Sequence, residues 1–119
     1  MSLFNFGKKS KSGYPETTYT FTQTENYKGF KRIKLTSYGY EPAQAGIKAV
    51  SKMDLTGKDI SIIVVDKPSS PYAIVKVGKH HIGTIFKNSF SDFSKLKTGK
   101  VSAVRVEIRD GESFIFYKV

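Results

Sequence analysis

Residues 55–86, LTGKDISIIVVDKPSSPYAIVKVGKHHIGTIF, leave this chain few ways to fold. Ile60, Ile62 and Val64 share one face of a pleat, and Ile63 and Val65 share the other. Branched apolar side chains in this alternation suit a half-buried sheet. Pro68-Ser69-Ser70-Pro71 ends the run, because proline offers no N–H to a ladder and fixes its own φ. Tyr72, Ile74 and Lys76 then alternate with Ala73, Val75 and Val77, Gly78-Lys79 signals a turn, and Ile82, Ile85 and Phe86 resume the apolar pattern. The spacing predicts three consecutive antiparallel strands, whose apolar face the rest of the chain must cover.

The flanking segments supply that cover. Thr17 to Thr22 alternates Tyr19 and Phe21 with threonine and predicts a strand; Gln23 to Gly29 is polar, with a turn. Phe30 to Tyr40 predicts a second strand, with Ile33 and Leu35 on one face, a basic character from Lys31, Arg32 and Lys34, and a bend at Gly39. Glu41 to Met53 predicts a helix: Glu41 and Pro42 suit its first turn, and Ala43, Ile47, Val50 and Met53 form one stripe. Ser89 to Lys97 predicts a short second helix, with Ser89 and Asp92 placed as a capping box and Phe90, Phe93 and Leu96 facing the sheet. Val101 to Arg109 and Glu112 to Val119 alternate on either side of Asp110-Gly111, a strong hairpin signal. Short antiparallel strands with few long crossovers predict a mainly β fold: a small OB-like barrel of six or seven strands with two short α-helices, closed so as to remove exposed edges. At 119 residues the chain is expected to form one domain, residues 16–119, behind a flexible tail, residues 1–15. In the tail Leu3, Phe4 and Phe6 precede Lys8, Lys9 and Lys11, a pattern that fits a frayed terminus or a weak docking segment.

The absence of cysteine excludes disulfides and thiolate metal sites. No run approaches the ~20 apolar residues that span a bilayer, and the first residues lack the apolar core of a signal peptide. The expectation is a cytoplasmic protein without integral membrane association. His80 and His81 are adjacent, so on a strand they point to opposite faces and do not share a metal. Phosphate loop, dinucleotide glycine motif and nucleophile elbow are all missing. Of the carboxylates a nuclease would need, Asp66, Glu107 and Asp110 are available, but Asp110 is explained by its turn. The chain therefore reads as a non-enzyme with no cofactor and no metal.

Charge points elsewhere. Twenty basic residues against 10 acidic ones give a net charge of +10, which favours polyanions. Single strands are held by a positive groove with aromatic faces for the bases. Tyr38, Tyr40 and Tyr72 fall at strand ends or in a loop, and Arg32, Lys34, Lys67, Lys76 and Lys79 could line a groove beside them.

The same stretch resembles the HIRAN domain. The residues that carry the resemblance are Leu55, Gly57, Ile60 and Ile62; Ser70-Pro71-Tyr72; Ala73-Ile74 with Val77; Gly78; and Ile82-Gly83-Thr84-Ile85. The strand ending in Tyr38-Gly39-Tyr40, the helix after it and the helix after Phe86 also fit, so the resemblance covers roughly residues 30–119. It implies an OB-like barrel that captures single-stranded DNA at 3′ ends, with Tyr40, Tyr38 and Tyr72 flanking the terminal bases. Two departures stand out. The family places an acidic residue and an asparagine between its Pro-Tyr and Ala-Ile, whereas Tyr72 runs directly into Ala73; the acidic residue is implied to read the terminal sugar hydroxyl. Gly83-Thr84 also replaces a Gly-Tyr step. The expectation is a divergent, stand-alone module binding single-stranded nucleic acid, DNA first. The alternatives are a protein-interaction barrel docking a partner through an exposed strand or the N-terminal phenylalanines, and a membrane-surface adaptor using the basic tail.

Overall fold

The computed structural model describes residues 13–119, which form seven strands, two α-helices and one 3₁₀ turn. Most of the expected tail, including Leu3, Phe4 and Phe6, lies outside the described residues. In chain order the elements are β1 (Glu16–Thr22), β2 (Lys31–Lys34), α1 (Glu41–Val50), β3 (Asp59–Val65), β4 (Tyr72–Val77) and β5 (His80–Phe86), then α2 (Phe93–Lys97), β6 (Ala103–Arg109) and β7 (Glu112–Lys118).

The meander forms as its alternation predicts. β3, β4 and β5 pair antiparallel, and β1 adds to the free edge of β3, so the first sheet runs β1-β3-β4-β5. Ile60, Ile62, Val64, Ala73, Val75 and Val77 point inward and are buried. A register shift opposite Val75 and Lys76 sets Ile82 out of sequence on β5, which is why Ile82 and Ile85 are both buried although they are not two apart. β6 and β7 form the expected hairpin, with Asp110 and Gly111 at φ 51° and 77° as a two-residue turn of this hand requires. β2 joins β7, giving a second sheet of order β2-β7-β6. Val104, Val106 and Ile115 face the first sheet across the core.

The chain is mainly β, but its ladders stop at two sheets rather than running on as one closed ladder. Local joins link them, among them these. Thr36 and Thr84 exchange backbone hydrogen bonds of 2.9 Å in each direction, tying the chain after β2 to β5. At the other side the buried Gln23 side chain accepts from the Val106 N–H and donates to the Val106 carbonyl, both at 2.9 Å, so a side-chain amide imitates a ladder partner.

Three elements are shorter than their sequence patterns predict. The second strand ends at Lys34 instead of Tyr40, because Ser37 to Tyr40 turns: the Tyr40 N–H donates to the Ser37 carbonyl at 3.2 Å, and Gly39 takes φ 74°. The first helix ends at Val50; the Lys52 and Met53 N–H groups bond three residues back, a tightened last turn. The second helix spans only Phe93–Lys97, after a separate 3₁₀ turn at Lys87–Ser89.

Asp92 precedes α2 but its side chain does not cap it. Its carboxylate instead accepts from the Tyr117 hydroxyl at 2.6 Å and from Lys31 at 3.0 Å, with Lys95 at 3.6 Å. These bonds, the Tyr117 hydroxyl first, hold the Asp92 carboxyl at about 2. Burial and then Asp92 itself push the Tyr117 hydroxyl well above its usual range. The sign follows. Below roughly pH 4 an unfolded aspartate takes up a proton that folded Asp92 refuses, so stability falls as pH drops from about 4 towards 2. Thermal melts over that window are expected to show a steeper loss for the wild type than for Asp92→Asn, which carries no such proton.

Candidate nucleic-acid interface

The outward face of the meander ends in a groove. On β4 the residues alternating with the core are Tyr72, Ile74 and Lys76, and their β5 neighbours in register are Phe86, Thr84 and His81. The Thr36–Thr84 bridge brings the turn carrying Tyr38 to this edge, and α1 begins directly after it. Tyr40 stands at the N-cap position of α1, and the helix packs along β5 through Ala43, Ile47 and Val50. The result is an open groove of about 340 Å³ lined by Thr36, Tyr38, Tyr40, Tyr72, Ile74, His81, Thr84 and Phe86.

Its aromatic rings are available. Tyr38 is 94 % exposed, Tyr40 48 % and Phe86 43 %, which leaves ring surface free for a planar ligand. Tyr40 lies against His81 with centroids 5.0 Å apart, and Tyr72 against Phe86 at 6.3 Å. His81 Nε2 sits 3.1 Å from the Gly83 carbonyl; a carbonyl only accepts, so this nitrogen carries the proton. Burial draws the His81 imidazole below its ordinary value, against the Gly83 bond and with Lys76 acting in the same direction, which favours the neutral ring. Among the described residues no carboxylate lines the groove. Lys76 stands beside it in register with His81, Lys79 in the β4–β5 turn is exposed, and Lys67 lies in the β3–β4 connection. None of these three forms an ion pair among the described residues.

Tyr38, Tyr40 and Tyr72 are thus brought together, with Lys76 beside them. None of the five expected cations, Arg32, Lys34, Lys67, Lys76 and Lys79, is among the lining residues, and Arg32 and Lys34 lie on another face. They occupy the outward face of the second sheet, where Lys34 pairs with Glu112 at 2.5 Å and Arg32 lies over the Phe114 ring at 5.2 Å. Phe86 and His81 complete the groove without having been expected there. Phe86 carried a signal, as the final outward position of an apolar strand; His81 depends on the register shift, which leaves no mark in the sequence.

A second depression, of about 260 Å³, includes Gln23, Glu25, Asp54, Arg105 and Glu107. Glu25 and Asp54, which form no ion pair among the described residues, disfavour a polyanion there. Among the described residues no group of three or more histidines and carboxylates is placed to hold a metal ion, and no helix is long and apolar enough to cross a membrane. Comparison of the chain with family models, curated proteins and solved structures finds no match.

Proposed function

We propose that this chain is a non-enzymatic, HIRAN-like module that binds single-stranded nucleic acid, DNA first, in the Tyr38–Tyr40–Tyr72 groove. The observation that carries this reading is the convergence of those tyrosines, from a turn, a helix start and a strand start, on one groove with Phe86 and His81 and without a carboxylate. Bases stack on the exposed rings, and Lys76, Lys79 and Lys67 hold phosphates. The OB-like barrel reading belongs to the same proposal: the Thr36–Thr84 bridge and the Gln23 amide support two sheets acting as one closed wall. Among the described residues no acidic side chain lines the groove to read a terminal hydroxyl, which favours binding that does not require a free 3′ end.

Tyr72→Ala and Tyr40→Ala are each expected to weaken binding of a short labelled single strand by about 1–3 kcal/mol in fluorescence anisotropy. Tyr40 is half exposed and Tyr72 faces outward, so both variants keep the fold. Unchanged affinity in two folded variants removes the proposal.

A further inference from the structure

Beyond the groove, the second sheet carries its own aromatic and cationic rows. Register places Arg32, Phe116 and Arg105 side by side across β2, β7 and β6, and Lys34, Phe114 and Glu107 in the next row. All point away from the core, because the alternate residues Ile33, Ser113, Ile115, Val104 and Val106 point into it. Phe114 and Phe116 are therefore outward rings on one strand, only partly buried. Both rings are half-buried under their neighbours, and the part left open on each sits beside a guanidinium, the pairing a base-stacking surface uses.

The chemistry around the rings selects a partner. The Arg32 guanidinium, itself exposed and in no ion pair among the described residues, lies over Phe114 at 5.2 Å. Arg105 lies over Tyr27 at 4.5 Å, and Tyr27 meets Phe116 edge-on at 5.1 Å. The two carboxylates of this face are already neutralised: Glu107 by Arg105 and Arg109 at 3.0 and 2.6 Å, and Glu112 by Lys34. Planar rings and guanidinium groups with a surplus of positive charge are what bases and phosphates of a single strand require. The face is also continuous with the groove. The Thr36–Thr84 bridge ties the chain just after β2 to β5, and β2 pairs with β7, so the two faces meet at this join.

We propose that Phe114 and Phe116, with Arg32 and Arg105, form a second stacking platform for single-stranded nucleic acid, along which a strand seated in the groove continues. It rests on the groove reading only in supplying the path for that strand; its residues are separate. The test is anisotropy with labelled oligothymidines of about 4 and about 12 nucleotides, within the range one OB-like module covers. The wild type is expected to bind the longer strand more tightly. Phe114→Leu/Phe116→Leu, which keeps apolar bulk but removes the ring planes, is expected to weaken the longer strand about tenfold and leave the shorter one unchanged. Arg32→Gln, at an exposed position, is expected to weaken only the longer strand. Tyr72→Ala weakens both. Equal wild-type affinity for the two lengths, or a longer strand indifferent to both platform variants, overturns the platform and leaves the groove standing. A longer strand sensitive to the phenylalanines but not to Tyr72 supports the platform and overturns the groove. No binding of either strand overturns both.

Discussion

Gly46→Ala is expected to destabilise the fold by about 3 kcal/mol or more. Helix propensity alone gives the opposite sign, since alanine is better than glycine in a helix interior by about 1 kcal/mol. Packing decides the matter. Gly46 lies buried in α1 against β5, and a Cβ built there would sit 1.8 Å from the His81 carbonyl oxygen and 2.8 Å from its carbon. That atom belongs to a strand backbone held in a ladder, so it cannot swing aside as a side-chain tip would. Either α1 lifts from the sheet, exposing Ile47 and Val50, or β5 distorts beneath it. Urea denaturation measures the loss, and a more stable variant would mean that α1 does not approach β5 this closely. The same displacement carries Tyr40 away from His81, so whatever Gly46→Ala protein stays folded is expected to bind single strands more weakly.

Gln23→Ala is expected to cost about 3 kcal/mol, because it strips partners from two buried backbone groups at once. The Val106 N–H and carbonyl have the Gln23 amide as their partner at 2.9 Å each, and the side chain is 5 % exposed. Gln23→Glu does not rescue: a carboxylate still accepts from the Val106 N–H but offers the carbonyl no donor, and it buries a charge. Denaturant midpoints give the cost, and the Val106 amide is expected to exchange much faster in Gln23→Ala than in the wild type. A loss below about 0.5 kcal/mol, the scale of ordinary surface substitutions, would show that the amide is not a structural partner of β6.

These two residues mark where sequence reasoning stops. The meander was legible because Ile60, Ile62 and Val64 and their β4 counterparts obey a period of two that only a pleat satisfies, and the last hairpin because Asp110-Gly111 tolerates positive φ at both positions. Gln23 looked like loop polarity; its partner is 83 residues away. Asp92 looked like a helix cap, since Ser89 and Asp92 have the right spacing, but Tyr117 and Lys31 offered its carboxylate stronger partners from β7 and β2. The site divides the same way. Tyr38, Tyr40 and Tyr72 could be picked out because they fall where strands end and rings stay exposed. Charge alone places Arg32 and Lys34 with them, yet strand parity turns both onto the face of Phe114 and Phe116 once Ile33 and Leu35 point inward. His81 has a metal-ligand side chain, but packing against Tyr40 makes it part of the groove wall.

The most direct test is to titrate a short labelled single strand with the wild type and with Tyr72→Ala at two salt concentrations. Stacking and phosphate contacts separate in this measurement, because only the phosphate part falls with salt. The groove account predicts binding by the wild type that weakens as salt rises, and weaker binding by Tyr72→Ala at both concentrations with the same salt dependence. Coincident curves for the two proteins, both collapsing with salt, would contradict it and reduce the interaction to a basic surface.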